Sequence, residues 1–275
     1  MILILALLAW QQITRDTRVA WGTDTDTRRF PTAATQFIED NNIRGNMFND
    51  YGLGGWLIWR LGPDRKVFID GRTHFYGQDF FHMNHAFEAA PSPGTWRELQ
   101  NKYDFRYAVL NPRSPTQRNV FFVILDSGPD WKIVFWDQRA IVLLRDMEPN
   151  AQTARRHAYE IMHPYSTKRV AAQWENLPDD KKKLAVSELD RNLALGPDNT
   201  LALWARGYIA MQEGELDRAR ELAQRGIAAD ARHADLHLLL GQIALKRDDS
   251  AAARRHFQNA ARINPRFRNL LADLE

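Results

Sequence analysis

The feature that most constrains the fold is a 34-residue period in the last part of the chain. The positions that share this spacing are Gly207 and Gly241, Ala219 and Ala253, Ala223 and Phe257, and Ala185 one period before Ala219. A period of this length predicts pairs of helices, because each pair buries its apolar face only by stacking on the next pair. Since no strand pattern remains after Met147, we expect residues 148–275 to be all-helical.

These units resemble tetratricopeptide repeats. The best two cover about 200–232 and 234–266, and a degenerate unit precedes them. Small residues stand where the two helices of a unit would cross, and Pro197 and Pro265 end units. The resemblance implies a concave groove that binds a protein partner as an extended peptide or a helix. The alternative is that so few repeats form a stabilising appendage with no ligand.

Residues 21–147 show helix and strand patterns in alternation. We expect helices at 32–40, 54–61 and 96–102, and strands at 46–49, 66–70, 105–111, 131–136 and 139–145. The apolar run 119–125 fits either a buried strand or a short helix. We therefore predict an α/β domain of three layers with a mixed sheet, closed at one edge by an antiparallel pair.

One stretch, residues 46–76, predicts the location of a site. Two short apolar runs end in Asp50 and Asp70, and an apolar segment of about two helical turns lies between them. This order predicts a βαβ unit, and ligands of open parallel sheets bind beyond the carboxyl ends of the strands. The candidate ligand-binding residues in this crevice are Asp50, Tyr51, Gly52, Gly54, Gly55, Asp70, Gly71 and Arg72.

Each candidate has a structural alternative. Asp50 and Asp70 would share a divalent cation or bind sugar hydroxyls, or else Asp50 caps the helix that begins at Gly54 and Asp70 pairs with Arg72. The glycines from Gly52 to Gly55 would hold a phosphate on their N–H groups, or serve only the tight packing of the turn.

Composition excludes several functions. The chain has no cysteine, which excludes disulfides, thiol catalysis and cysteine-bound metals. A net charge of +3 is small for 275 residues, so we expect no nucleic-acid partner. His74, His82 and His85, with Asp79 among them, offer metal ligands, but packing is the more common role of such residues. We predict no metal, no cofactor and no catalytic residue within this chain.

The chain begins with an apolar run, Met1–Trp10, that would reach about 15 Å as a helix, half of a bilayer core. We interpret residues 1–20 as a short apolar helix at the tail of a transmembrane segment, so that the chain would start part-way through a longer membrane protein. A buried N-terminal helix and a signal peptide are the alternatives.

The central stretch also resembles a known family. Its elements are Phe48-Asn49-Asp50-Tyr51-Gly52, then Gly54-Gly55-Trp56-Leu57-Ile58-Trp59, then Lys66-Val67-Phe68-Ile69-Asp70-Gly71-Arg72. Together they are similar to the soluble C-terminal region of bacterial polytopic membrane proteins related to glycosyltransferases of the GT-C type. The resemblance covers about 1–147, and such proteins often carry appended tetratricopeptide repeats.

This resemblance implies a role in cell-surface glycan or glycoprotein assembly. It places the soluble part outside the cytoplasm, on the periplasmic side, with a glycan or peptide acceptor near the crevice. Arginines 15, 18, 28 and 29 follow the apolar run and favour the opposite orientation. The alternative function is that of a non-enzymatic scaffold, tethered to a membrane, that binds proteins through its repeats. A third hypothesis is a free-standing enzyme that binds a nucleotide or a sugar phosphate.

A more distant likeness is to the catalytic subunit of oligosaccharyltransferases. Their Trp-Trp-Asp-Tyr-Gly motif matches Asp50, Tyr51 and Gly52, whereas Phe48 and Asn49 replace the two tryptophans. In such enzymes the metal-binding and catalytic acids lie in loops between membrane helices. The resemblance therefore implies that this chain is not catalytic on its own, although it would belong to a membrane transferase.

Overall fold

The computed structural model describes residues 30–274, with side chains up to residue 269. The predicted N-terminal helix and membrane segment at 1–20 lie outside this range. The described part is mostly helical and contains one small mixed sheet of four strands. Within it, no helix combines the length and the apolar character needed to cross a bilayer.

The elements predicted between residues 32 and 145 are present in chain order, except for the strand 66–70, which is described below. Their bounds are α1 Thr32–Asp40, β1 Asn46–Asn49, α2 Gly54–Leu61, α3 Gln78–Ala89, α4 Pro93–Tyr103, β2 Phe105–Leu110, α5 Pro115–Asp126, β3 Trp131–Trp136, β4 Ile141–Arg145, α6 Ala151–His157, α7 Thr167–Ala172, α8 Asp179–Leu195, α9 Thr200–Gln212, α10 Leu216–Ala229, α11 Ala234–Leu245 and α12 Ser250–Ile263. Short 3₁₀ turns occupy 51–53, 73–75 and 174–176, and a longer one runs over Pro265–Leu274.

The sheet has the strand order β1-β2-β4-β3. β1 is parallel to β2, whereas β4 is antiparallel to both of its neighbours. The predicted hairpin is confirmed, and its turn is held by the Asp137 carboxylate, which accepts hydrogen bonds from the backbone amides of Arg139 and Ala140 at 2.6 and 2.8 Å. A mixed sheet with an antiparallel pair at one edge is therefore present.

The predicted strand 66–70 is wrong. This segment is irregular, and the parallel partner of β1 is β2, reached through a long crossover that contains α2, α3 and α4. The physical reason is the side chain of Asn49. Its Oδ1 accepts from the Phe68 amide at 2.8 Å and its Nδ2 donates to the Ile69 carbonyl at 2.8 Å, so that one buried side-chain amide replaces a strand pairing.

Sequence analysis also misplaced or left open two helix starts. The helix expected at Trp96 begins at Pro93, because Ser92 is its N-cap and forms a reciprocal capping box with Thr95. The ambiguous run 119–125 is helical. It belongs to α5, whose first turn is capped by Ser114 through the Gln117 amide and has Pro115 at its first position.

Both faces of the sheet are buried in apolar clusters. Along β2, Tyr107 and Val109 belong to one cluster, whereas Ala108 and Leu110 belong to the other, as strand alternation requires. The second cluster is rich in aromatic rings from the helices α3, α4 and α5; they include Phe87, Trp96 and Phe121. The first cluster is covered mainly by α1, α2 and α6.

The apolar core continues past residue 147 without a break. Ala185, Leu189 and Ile209 belong to the same cluster as the sheet residues Phe48 and Leu143. Buried polar groups cross the same junction, since the Asn192 amide donates to the Trp136 carbonyl at 2.8 Å. The helical part therefore packs against the sheet through both apolar and polar contacts.

The helices α9 to α12 reproduce the 34-residue period. α11 and α12 begin 34 residues after α9 and α10, respectively. Gly207 of α9 lies where a Cβ atom would be 3.3 Å from the Ala219 carbonyl oxygen, and Gly241 of α11 lies against the ring of Phe257. The repeated small residues therefore mark helix crossings. The degenerate unit before them contributes α8, with Ala185 and Leu189 fully buried.

Candidate functional site

The two candidate turns, 50–55 and 69–72, contact each other in the structure. A Cβ atom on Gly54 would lie 2.8 Å from the Asp70 Cα, so α2 begins directly against the backbone of the second turn. The Tyr51 hydroxyl lies 3.9 Å from the position that a Cβ of Gly71 would take. The structure thus brings the predicted residues together, although the second turn does not follow a strand.

The centre of this arrangement is a hydrogen-bonded group formed by Asp70, Arg72 and Tyr76. Arg72 donates through Nε to Oδ1 and through Nη2 to Oδ2 of Asp70, both at 2.8 Å, and the Tyr76 hydroxyl donates to Oδ2 at 2.5 Å. The hydrogen bond from Arg72 holds the pKa of Asp70 well below its usual range, against the opposing effect of burial. Burial and the hydrogen bond to Asp70 raise the pKa of Tyr76 to about 12.

The exposed side of this group is aromatic and basic. The Asp70 side chain is only 2% exposed, whereas that of Arg72 is 58% exposed. Phe75 is 74% exposed and lies 6.0 Å from the Arg72 guanidinium, and Tyr51 is 40% exposed. We call Tyr51, Arg72 and Phe75 the crevice surface. The buried carboxylate therefore fixes a guanidinium that remains accessible to solvent beside the Phe75 ring.

Asp50 takes part in a different group. It is buried and precedes the 3₁₀ turn 51–53, without a side-chain hydrogen bond of capping geometry. Burial raises the pKa of Asp50, and the nearby amides of Gly52 and Leu53 only partly offset this effect. The pKa of Glu88 on α3 is also raised, first by burial and then by the negative charge of Asp50. Asp50 is thus electrostatically coupled to Glu88.

Two buried amide side chains adjoin Glu88. Gln117, in the first turn of α5, donates from Nε2 to the Glu88 carboxylate at 2.9 Å, and Asn84 lies one helical turn before Glu88 on α3. Asn84 and Gln117 are 4% and 1% exposed. Their carbonyl oxygens, Oδ1 and Oε1, are buried and have no hydrogen-bond partner.

The other predicted ligands are the glycines of the first turn and the histidines after the second turn. The space beside Gly54 is filled by the second turn, so this glycine allows tight packing, whereas a Cβ on Gly55 would meet nothing within 4 Å. His74, His82 and His85 are exposed. Among residues 30–274, no group of three or more histidine, aspartate or glutamate side chains is placed to hold a metal ion.

Sequence reasoning missed Asn49, Tyr76, Asn84, Glu88 and Gln117. Tyr76 follows Asp70 by six residues, and no sequence pattern indicated that its hydroxyl would return to the Asp70 carboxylate. Asn84, Glu88 and Gln117 come from helices whose faces meet the end of β1 only in three dimensions. A helical reading of 78–89 would have placed Asn84 and Glu88 on one face, since they are four residues apart.

One cavity lies away from these groups. It has a volume of about 890 Å³ and opens between α1, the β3–β4 turn, the loop at 195–199 and the end of α10. Asp40, Asp198, Arg139 and Arg225 are among its lining residues, so it carries both charges. None of the predicted site residues lines it.

Comparison with known proteins adds little. No protein-family model matches the chain, and no curated protein sequence matches it. One solved structure that it resembles is the MamA RS-1 ArsTM double mutant, at 20% identity and a TM-score of 0.34. The alignment covers 45% of this chain and 68% of that one. A likeness this weak supports no argument about fold or function.

Proposed function

We propose that this chain is the soluble C-terminal portion of a GT-C-like membrane protein that acts in cell-surface glycan or glycoprotein assembly. In this proposal residues 21–147 form a three-layer α/β domain, and the helices after it are tetratricopeptide repeats that bind a protein partner. The soluble part lies outside the cytoplasm. The chain binds an acceptor and is not catalytic by itself.

The observation that carries this proposal is the fixed guanidinium of Arg72. Its two hydrogen bonds to Asp70 leave the outer edge of the guanidinium free to donate to a ligand. Because Asp70 is buried and also bonded to Tyr76, the guanidinium is positioned before a ligand arrives, and little side-chain entropy is lost on binding.

The crevice surface combines hydrogen-bond donors with apolar rings. This combination suits a ligand that carries polar groups on a sugar ring or on a peptide chain. Arginine donors bind hydroxyl, carboxylate or phosphate oxygens, and the exposed rings of Tyr51 and Phe75 supply apolar faces. A glycan or peptide acceptor offers both kinds of group. No nucleophile or general base is required for such a role, in agreement with a recognition part whose catalytic centre lies elsewhere.

The test uses the full-length membrane protein and measures glycan transfer. We expect Arg72→Ala to reduce transfer by about tenfold or more, and Arg72→Lys to rescue little, since lysine cannot reproduce the paired hydrogen bonds. Arg106→Ala is the matched control, because Arg106 also binds an aspartate two residues before it, through Nε and Nη2 to Asp104. Equal transfer by the Arg72→Ala and Arg106→Ala proteins would refute the proposal.

A second candidate function, a membrane-tethered scaffold without enzymatic association, is favoured by one feature of the repeats. Trp204 and Tyr208 stack at 5.5 Å on α9 and are only partly buried, and the Lys168 ammonium lies 5.6 Å from the Trp204 ring. Aromatic residues beside a basic group are common at protein-binding surfaces. A specific partner captured by the full chain and lost with Lys168→Glu, while glycan transfer is unchanged by Arg72→Ala, would favour the scaffold.

A further inference from the structure

We propose that Asp50, Asn84, Glu88 and Gln117 form a binding site for a divalent cation, Ca²⁺ in the first place, beyond the carboxyl ends of β1 and β2. This site is separate from the crevice surface and does not rest on the function proposed above. It uses two carboxylates and two amide carbonyls, which is a set of oxygen ligands that Ca²⁺ accepts.

Ring contacts place α3 over the end of β1. The Phe87 ring lies 6.0 Å from the Phe48 ring in an edge-to-face arrangement. Glu88 directly follows Phe87, and Asp50 stands two residues after Phe48, so strand alternation directs it to the same face of the sheet. The two carboxyl groups therefore approach the same space from the strand end and from the helix.

The helix α5 closes this space from a third side. It follows β2, and its first-turn residue Gln117 reaches the Glu88 carboxylate. The Asp50 amide donates to the Val109 carbonyl at 3.0 Å, near the end of β2, so the ends of both parallel strands adjoin the group. Ligands of parallel sheets bind at this position, where strand ends and helix starts converge.

The independent observation is a pair of unsatisfied oxygens. Asn84 Oδ1 and Gln117 Oε1 have no hydrogen-bond partner, and the two side chains that carry them are more than nine-tenths buried. A buried amide oxygen that accepts nothing is destabilising and needs an explanation. Both oxygens belong to residues beside Glu88, and a cation bound to the carboxylates would supply the missing partner.

Electrostatics favours the same conclusion. The Asp50 carboxylate is buried and that of Glu88 is half-buried. Both lose hydration, and the negative charge of Asp50 acts on Glu88, so the protonated forms are favoured. No lysine or arginine contributes to the perturbation of either group. A divalent cation would balance both charges, and its binding would release whatever protons the pair holds.

The experiment titrates CaCl₂ into the full chain at near-neutral pH and constant ionic strength, and follows heat release and the melting temperature. We expect saturable binding and a rise in melting temperature that is reversed by a chelator. Gln117→Met keeps the size of the side chain but removes the amide oxygen, and it should weaken Ca²⁺ binding by about tenfold or more. Glu88→Gln should abolish the response without lowering the melting temperature in chelator.

Glu98→Gln, at an exposed position on α4, is the matched control and should respond to Ca²⁺ like the original protein. Three results would overturn the proposal. They are a melting temperature that changes with pH but not with Ca²⁺, an unchanged response in Glu88→Gln, and a response to Mg²⁺ in the absence of one to Ca²⁺. Loss of glycan transfer in Arg72→Ala bears only on the proposed function, so the two failures are distinguishable.

Discussion

The crevice turns and the helical repeats both place a glycine at a tight crossing, but the two glycines face different neighbours. The space beside Gly54 is occupied by backbone, with the Asp70 Cα 2.8 Å from the position of a Cβ. The space beside Gly241 is occupied by a side chain, with Cζ of Phe257 at 2.9 Å.

The two glycines illustrate two kinds of packing constraint, one from a side chain and one from the backbone. In the repeats a ring occupies the space, and substitution of that ring could compensate for added volume elsewhere. In the crevice the neighbour of Gly54 is the backbone of the second turn, which the side-chain amide of Asn49 holds in place. The position of Asp70 and Arg72 therefore depends on contacts made by the backbone of the second turn, whereas the crossing at Gly241 depends on the packing of one aromatic side chain.

The largest expected effect is that of Gly54→Ala. The added methyl group would overlap the backbone at 69–70, and we expect the free energy of unfolding to fall by about 3 kcal/mol or more. Gly55→Ala is the neighbouring control, where the space is open; the substitution should be neutral or stabilise α2 by about 0.5–1 kcal/mol. Urea unfolding of both variants measures the difference. Equal stabilities would show that the second turn can move after all.

Asn49→Ala should have the next largest effect. The Phe68 amide and the Ile69 carbonyl would lose their buried partner, and we expect a loss of about 2–3 kcal/mol. Hydrogen exchange should accelerate at residues 66–70 first, because that segment has no strand partner. Asn46→Ala removes an exposed hydrogen bond to the Tyr103 carbonyl and should cost much less. Uniform loss of protection across the sheet would contradict a local clamp.

Asn49 also shows where sequence reasoning stops. The strand predicted at 66–70 has the composition of a strand, but a side chain twenty residues earlier satisfies its backbone, which composition does not reveal. The helices α9 to α12 were predictable because period and small residues are local signals. The helix α5 was left open although Ser114 and Pro115, a cap followed by proline, were available to decide it.

The candidate site was predictable in part for the same reason. Asp70 and Arg72 are two residues apart, so their pairing could be proposed from sequence, and the structure shows it. The coupling of Asp50 with Glu88 could not, because it arises from the crossing of α3 over the sheet. Local spacing determines the pairing of Asp70 with Arg72, whereas tertiary packing brings Asp50 and Glu88 together.

In the repeats, Gly241→Ala should cost about 2 kcal/mol, because the methyl group would meet the Phe257 ring. The variant that also carries Phe257→Leu should recover part of this loss, and a double-mutant cycle would give a favourable coupling. The same approach has no equivalent at Gly54. If Phe257→Leu makes Gly241→Ala no less harmful, the distinction between side-chain and backbone contacts is refuted.

The smallest expected effect concerns His163, which lies between the two regions and packs 5.4 Å from the Phe121 ring. Burial lowers the pKa of His163 to about 4 from 6.5, and its Nδ1 accepts from the Tyr165 amide at 3.3 Å, which requires the neutral ring.

As the pH falls from 6.5 towards 4, the unfolded chain binds a proton at His163 that the folded chain does not bind, so stability decreases across this window. At pH 5.5, one pH unit into this window, we expect the folded state to have lost about 1.4 kcal/mol of stability, and well above pH 6.5 we expect no loss. Urea midpoints at several pH values for the original protein and His163→Gln measure it, with His74→Gln at an exposed site as control. An identical pH profile in the His163→Gln and His74→Gln variants would show that the junction carries no such dependence, and that acid acts on the two regions independently.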